Sequence, residues 1–431
     1  MDKYTVKPLK NNPEIFLDVP GSKSITNRAL LLAAMGNTKC TLNGILFSDD
    51  SRAFLSCLVS LGFELAIDEP GKKVTITGTN GVIPKRKAVL NVGSAGTAAR
   101  FLTVFLAFAG GDYDMNASEQ MCRRPMEPLL TDLENCGVEI ICKKEKGHFP
   151  FRLISKGINT DEISSDTDIS SQFASALIMA APLLKNGLLI RLGGSRTNGA
   201  YINITLKMMQ QFNYGFVREK NTVKVFPANN THVSPTDYSV EPDVSAACYF
   251  YAMSPVAGKT VLIKNVRFSS MQGDIRFIKA LEKFGCTLED TETGILVHPP
   301  KTNIYNGIDI DMKDFSDQTM TMAVVASFAS SNTHIRNIEH IRFQESDRLL
   351  ATINNLNNLG CKCRAIDNDT GLLIEPTPMH GSDIETYNDH RIAMAFSLIG
   401  LRIPGVNILN PLCCKKTFEN YFNVLDSICD I

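Results

Sequence analysis

Basic side chains stand in this sequence where helices are expected to begin, which is electrostatically the wrong place for them. Six short segments each lead into an Ala-rich apolar run. Three are Gly21-Ser22-Lys23-Ser24-Ile25-Thr26-Asn27-Arg28, Gly93-Ser94-Ala95-Gly96-Thr97-Ala98-Ala99-Arg100 and Asp168-Ile169-Ser170-Ser171-Gln172. The others are Glu241-Pro242-Asp243, Asp317-Gln318 and Asn388-Asp389-His390-Arg391. A helix N-terminus has unpaired N–H groups and about half a positive charge. Ser170, Asp243, Asp317 and Asp389 suit such a place as caps and need no ligand. Capping does not explain Lys23, Arg28, Gly96 or Arg391, because cations oppose the helix dipole. They make sense if something more negative sits among them, and helix starts of this kind suit polyanions.

Two more basic segments lie off these helices: Arg123-Arg124-Pro125, and Arg342 to Arg348, which reads RFQESDR. Glu345 and Arg348, three apart, also fit a plain surface ion pair worth about 0.3 kcal/mol. Lys415-Lys416 likewise fits a solvated charge pair. At this level both readings stand.

The elements that must position these residues repeat. A Gly or Asn opens a short strand at Asn37, Gly111, Gly187, Gly258, Asn332 and Gly405, at intervals of 74, 76, 71, 74 and 73 residues. The Ala-rich run precedes each one. A second marker, an amphipathic helix ending in Gly and followed by a strand, falls at Gly62, Gly137, Gly215, Gly285 and Gly360. Gly there suits the left-handed residue that closes a helix. In the sixth unit the same helix occupies the end of the chain, before Ile431.

Six units of this length do not suit an open solenoid, which would need capping repeats. Three units closed around a pseudo-threefold axis, twice over, are the simpler solution. The Ala-rich helices are apolar nearly all round and belong at the centre of each domain. The expected fold is therefore α/β: a two-domain inside-out α/β barrel, each domain three βαβαββ-type repeats around buried parallel helices. The expected domains are residues 21–240, and 1–20 with 241–431, the chain breaking near Ser239-Val240-Glu241. A strand at residues 4–8 is expected to join the second domain. With helix N-termini pointing one way in each domain, a site is expected in a cleft between the two.

Composition narrows the function. With 431 residues, 44% apolar and 21% charged, the chain reads as an ordinary two-domain globular protein. A formal net charge of -1 gives no global field for nucleic acid or a membrane surface. Apolar stretches such as Phe101 to Ala109 fall far short of the ~20 residues that span a bilayer. No apolar leader follows Met1-Asp2-Lys3-Tyr4. Twelve cysteines contain no C-x-x-C pair, and neither Cys361-Lys362-Cys363 nor Cys413-Cys414 has zinc spacing. Reduced thiols in a cytoplasmic enzyme are expected.

The strings GSKSITNRAL, GSAGTAAR, RRP, SSQF, ESDRL, NDHRIAMA and KTF occur in an order and spacing that resembles the 5-enolpyruvylshikimate-3-phosphate synthase family. The resemblance covers essentially the whole chain, repeat included. It implies transfer of the enolpyruvyl group of phosphoenolpyruvate to the 5-hydroxyl of shikimate 3-phosphate, by addition and elimination, in the shikimate pathway to chorismate and aromatic amino acids. It also implies a monomer with no cofactor or metal and no nucleic-acid or membrane partner, in the family targeted by the herbicide glyphosate.

Carried over residue by residue, the resemblance puts Lys23, Gly96, Arg124, Gln172, Arg348, Arg391 and Lys416 on phosphoenolpyruvate. It puts Lys23, Ser24, Arg28, Ser170, Ser171, Gln172, Asn198, Tyr201, Asp317 and Gln344 on shikimate 3-phosphate. The implied catalytic set is Asp317 as base at the hydroxyl, Glu345 as acid at the methylene, and Lys23 steadying the phosphate. The chain departs from the family pattern at Gln344, where Lys is usual, and at Asn198-Gly199-Ala200, where Ser-x-Pro is common. It departs again at His340, which replaces a frequent Asn, and at Phe101, where Pro is usual.

The nearest rival is the sister UDP-N-acetylglucosamine 1-carboxyvinyltransferase, which carries a reactive Cys ahead of its Arg-Pro. Here Cys122 lies only two residues before Arg124, and Ser rather than Asn follows Lys23. A nucleic-acid or phosphate-ligand binding protein on the same repeat would need basic patches interleaved with stacking aromatics. Trp is absent, and Asp317 and Glu345 would repel a backbone.

Overall fold

Every one of the six apolar runs forms a helix that is buried along most of its length. They are α1 (Lys23–Met35), α2 (Gly96–Ala109), α3 (Ser171–Ala180), α4 (Val244–Tyr251), α5 (Thr319–Ala326) and α6 (His390–Gly400). Ala and Leu favour helix and lose little rotamer freedom in it. A helix with no polar face has nowhere to go but inside. Leu30, Leu31 and Leu32 are all fully buried, each worth about 2 kcal/mol of transfer free energy. The computed structural model describes residues 2–9, 14–168, 170–194, 196–229, 232–302 and 304–429. Met1, Ile169 and Ile431, named above, lie outside the described residues.

Around each buried helix the chain builds the same small sheet. In the second repeat, strand Lys87–Asn91 leads into α2, and Gly111–Asn116 returns parallel to it. An outer helix, Glu127–Asn135, follows, then the hairpin Glu139–Cys142 and Phe151–Ser155, whose second strand pairs antiparallel with Gly111–Asn116. That order is βαβαββ. Tyr113, Met115, Phe151 and Leu153 point inward at alternate positions, the period-two pattern of a sheet wet on one face. Among the described residues, five sheets have four strands in this order and the sixth has three. The sheets lie outside the helices, so each half is an α/β barrel turned inside out.

The chain separates into two compact units, Gly21–Val240 and the residues up to Pro20 together with those from Glu241 on. At each crossing, the strand that leads into a buried helix stays with the unit it leaves. Glu14–Leu17, ahead of α1, pairs parallel with Thr260–Lys264, and Asp237–Ser239, ahead of α4, pairs parallel with Lys39–Asn43.

Two local expectations need correction. The strand expected at 4–8 is Lys3–Thr5, pairing antiparallel with Asn407–Leu409, and a second strand at Glu14–Leu17 joins the same unit. Val6 N still donates to Val406 O at 3.0 Å, but Pro8 has no N–H to extend the ladder. Lys3–Thr5 fills the place that the hairpin strand takes in the other sheets. Among the five marker glycines, Gly62, Gly137, Gly285 and Gly360 have positive φ, whereas around Gly215 the left-handed residue is Asn213. Asn tolerates that region better than other non-glycine residues do.

The last buried helix is seated against the N-terminal segment by a close approach. A Cβ placed on Gly400 would lie 2.4 Å from Val6 Cβ. Gly400→Ala is therefore expected to cost about 1–3 kcal/mol by overpacking. Urea unfolding of the two proteins side by side checks this, and an unchanged midpoint refutes the tight seat.

Candidate active site

In the unit Gly21–Val240, the starts of α1, α2 and α3 meet. Asn27 Nδ2 donates to Thr97 Oγ1 at 2.6 Å, and Arg100 Nη1 donates to Gln172 Oε1 at 2.6 Å. Neither α1 nor α2 has a side-chain cap; Ser22 and Ala95 stand at their N-caps without bonding the first turn. α3 is capped by Ser170, whose hydroxyl accepts from Gln172 N.

Cations crowd these positive helix ends. Lys23 opens α1, and its Nζ lies 3.3 Å from buried Asp50 of the outer helix Asp49–Ser60. Arg28 is 1% exposed: Nε donates to Thr205 Oγ1 at 2.8 Å, Nη1 to Ser24 O, and Nη2 to Ser175 Oγ and Tyr201 O. Its guanidinium lies over the Phe101 ring at 5.1 Å and the Tyr201 ring at 6.0 Å. Arg100 lies over Phe173, with its Nε unbonded among the described residues. Every described hydrogen-bond partner of Arg28 and Arg100 is neutral. Burial consequently pushes the Arg28 guanidinium down to about 10. Burial, then the nearby charge of Arg124, lowers Arg100 well below the ordinary arginine value.

Gly96 makes this crowding possible. A Cβ there would lie 2.5 Å from Arg124 Nη1 and 2.9 Å from Arg100 Nη1. The missing side chain lets both forks close over the first turn of α2.

The second unit meets the same problem with carboxylates. Asp317, in the turn Ser316–Gln318 ahead of α5, accepts from Arg348 Nη1 at 3.1 Å and from Arg391 Nη2 at 3.0 Å. Asp389 caps α6, accepting from Arg391 N at 2.9 Å, and also takes Arg348 Nε at 2.8 Å and Ser346 Oγ at 3.0 Å. Glu345 lies between two bases, with Oε1 3.2 Å from Lys416 Nζ and Oε2 3.0 Å from His390 Nδ1. Donor atoms of Glu345, Asp389 and His390 lie within 4.8 Å of one another, a grouping already accounted for by Lys416 and Arg348. Burial works against charge on Arg348, yet Asp389 and Asp317 outweigh it and hold the guanidinium above its usual value. For Asp389 burial is again the largest cause and opposes charge, but Arg348, with His390 and the hydrogen bond, leaves the carboxyl below its usual range.

The structure thus gathers the expected residues as two sets, one per unit. Lys23, Ser24, Gly96, Arg124, Ser170, Ser171, Gln172 and Tyr201 lie at the helix starts of the first unit or beside them. Asn198 is exposed just before the helix Ala200–Gln211, its carbonyl accepting from Asn203. Gln344, Glu345, Arg348, Asp317, Arg391 and Lys416 lie in the second unit. Arg28, expected at shikimate 3-phosphate, makes four hydrogen bonds inside its own unit. Asp317 does not cap its helix, and Lys416 is buried on Glu345 rather than solvated. Cys122 ends a short helix, half-buried, its Sγ 3.8 Å from Ala117 O.

Sequence reasoning missed Asp50, Arg100 as a buried cation, and Asp274. Asp274 Oδ2 accepts from Gln318 Nε2 at 3.0 Å and from Ser245 Oγ. Acidic residues in Ser-Asp-Asp and Gln-Gly-Asp strings were the available signal, but neither string names a partner.

A family model described as EPSP synthase (3-phosphoshikimate 1-carboxyvinyltransferase) matches residues 12–425. The chain belongs to the EPSP synthase family. Among curated relatives, the 3-phosphoshikimate 1-carboxyvinyltransferase of Nostoc punctiforme is 37% identical over 422 residues, covering 98% of each chain. That of a Marinomonas species is 36% identical over 99% of this chain and all of its own. A solved EPSP synthase from Acinetobacter baumannii superposes with a TM-score of 0.82 over the whole chain and 98% of its own, at 23% identity, and so bears on the fold. As a member of the EPSP synthase family, this chain is an enzyme.

The buried network fixes a pH signature. The Asp389 carboxyl titrates lower folded than the ~3.9 of an unfolded chain, so its stabilisation is present above that value and lost as pH falls through the folded one. Asp389→Asn is expected to cost about 3 kcal/mol at pH 7, because Arg348 loses its closest partner. In urea unfolding at pH 7 and pH 3, the gap to wild type should shrink at the lower pH. A gap of constant size contradicts the assignment.

Proposed function

We propose that the chain transfers the enolpyruvyl group of phosphoenolpyruvate to the 5-hydroxyl of shikimate 3-phosphate, releasing phosphate, with the two residue sets above as its half-sites. The observation that carries this reading is the pair of carboxylates held by basic side chains: Asp317 between Arg348 and Arg391, and Glu345 between Lys416 and the His390 imidazole. Acid–base addition to an anionic enol phosphate needs such carboxylates close to cations that hold phosphate and carboxylate.

In this reading the unit Gly21–Val240 holds mainly shikimate 3-phosphate, through Lys23, Ser24, Arg28, Ser170, Ser171, Gln172, Asn198 and Tyr201. Uncapped helix starts and neutral-partnered cations support that choice. The other unit holds mainly phosphoenolpyruvate through Arg348, Arg391 and Lys416, with Arg124, Gly96, Gln172 and Lys23 completing the grip. Asp317 and Gln344 are assigned to the acceptor sugar.

Asp317 takes the proton of the 5-hydroxyl as its oxygen bonds to C2 of phosphoenolpyruvate. Glu345 gives a proton to C3, making a tetrahedral intermediate. Phosphate then leaves C2 while C3 returns a proton, restoring the double bond. Lys23 steadies the charge on bridging oxygen and phosphate. The residues accomplish this without a cofactor, and we place the enzyme in the cytoplasm as a monomer; its twelve cysteines form no disulfide among the described residues.

A phosphate-release assay tests the reading. Release should need shikimate 3-phosphate and should not occur with UDP-N-acetylglucosamine; the reverse pattern sinks it. Glu345→Gln is expected to lower kcat at least about a hundredfold with a modest change in binding, and near-normal turnover removes Glu345 from its role. Gly96→Ala, which pushes Arg124 aside, should raise KM for phosphoenolpyruvate about tenfold or more while leaving the affinity for shikimate 3-phosphate within about threefold. Equal loss for both substrates would count against Gly96 and Arg124 as the phosphoenolpyruvate side.

A further inference from the structure

Asp274 is a buried carboxyl for which the proposed chemistry has no use. It precedes the helix Ile275–Ala280 at 8% exposure. Its Oδ2 accepts from Gln318 Nε2 at 3.0 Å and from Ser245 Oγ in the first turn of α4, tying together the starts of α4 and α5. Two residues on, Arg276 pairs with Asp314. The stretch Asp274–Arg276 therefore grips the chain three residues before Asp317 and one residue after it. Ser316, the remaining neighbour, is held by His340 Nε2 at 2.6 Å.

We propose that Asp274 is a positioning residue for enolpyruvyl transfer, an ionised carboxylate that fixes the Asp317 peptide through Gln318. The inference rests on the assignment of Asp317 as the base. Charge is what makes the grip firm, because hydrogen bonds to an ionised acceptor are roughly twice as strong as neutral ones. A proton on Asp274, or an amide in its place, leaves an oxygen that accepts weakly and adds a donor inside a packed interior.

The charge is also precarious. Burial, then repulsion from Asp317, pushes the Asp274 carboxyl up to about 6, with Arg391, Ser245 and Gln318 pulling the other way. The titratable and charged groups that face it are Asp317 ahead of α5, Arg391 of α6, and from α4 the thiol of Cys248, 3.6 Å from the Asp274 carbonyl. Asp243, the cap of α4, acts on the same Cys248 thiol, which burial and then Asp274 raise well above its usual value. The grip should accordingly slacken as pH falls through about 6.

The test is the pH profile of kcat at saturating substrates, measured by phosphate release. Wild type is expected to lose activity through about pH 6. Asp274→Asn is expected to resemble acid wild type at all pH values: kcat down about tenfold at pH 7.5, both KM values within about threefold, and no step near 6. Gln318→Ala, which removes the link and keeps the carboxyl, should lose the same step, and the two changes should not add. A wild-type profile without a step between pH 5 and 7 overturns the proposal, as does an Asp274→Asn enzyme with unchanged kcat and profile. A kcat loss that follows only a fall in Tm also overturns it. Full activity of Asp317→Asn overturns it through the base assignment. Wild type that releases no phosphate from the substrate pair sinks the functional reading itself.

Discussion

Positive charge gathered at positive helix ends is the constraint around which this molecule is built. Three buried helices start together in each unit, and both units place arginine or lysine there. Left alone, such an arrangement is repulsive and poorly hydrated. The two units resolve it differently. Around α1 to α3, Arg28 and Arg100 are met by hydroxyls, carbonyls and an amide, which satisfy geometry but not charge. Around α4 to α6, Asp317, Asp389 and Glu345 answer the cations directly. The first solution leaves demand for an anion, and the second leaves carboxylates poised among cations.

That difference suits a reaction in which charge must change hands. In the proposed reaction, an anionic ligand on Arg348 and Arg391 would compete with Asp317 for the same forks, which would loosen the cations' hold on Asp317 and favour its taking a proton. Asp389 is a steadier partner: fully buried and bonded to Arg348, Ser346 and the first turn of α6, it keeps the fork oriented. Two carboxylates share one arginine, and their surroundings give them different work.

The architecture was legible because it is repeated. A run such as SQFASALIMAAPLL permits few readings besides a buried helix, and six such runs at one spacing define the repeat. Legibility failed where one tertiary contact outweighed local pattern. The tract NYGF promised a left-handed Gly215, but Asn213 took that role two residues earlier. The burial of Arg28 was likewise invisible locally, because Thr205 and Ser175, which hold two of its nitrogens, lie 177 and 147 residues away. Asp50 and Asp274 became visible only through their partners Lys23, Ser245 and Gln318, because no spacing rule joins side chains carried on separate elements.

Capping shows where the repeat gave up regularity for chemistry. α3, α4 and α6 start with Ser170, Asp243 and Asp389, each bonding its own first turn. α1, α2 and α5 have no such cap, and a good cap residue typically contributes about 1 kcal/mol. These three starts carry Lys23, Gly96 and Asp317. Six copies of one supersecondary unit therefore differ most at the positions where a stabilising side chain is missing. A missing cap with no other use would only weaken the fold, whereas here each one lies beside cations that the protein itself satisfies incompletely or shares. The uncapped helix starts are thus the surest local mark of the proposed site, more so than any single basic residue.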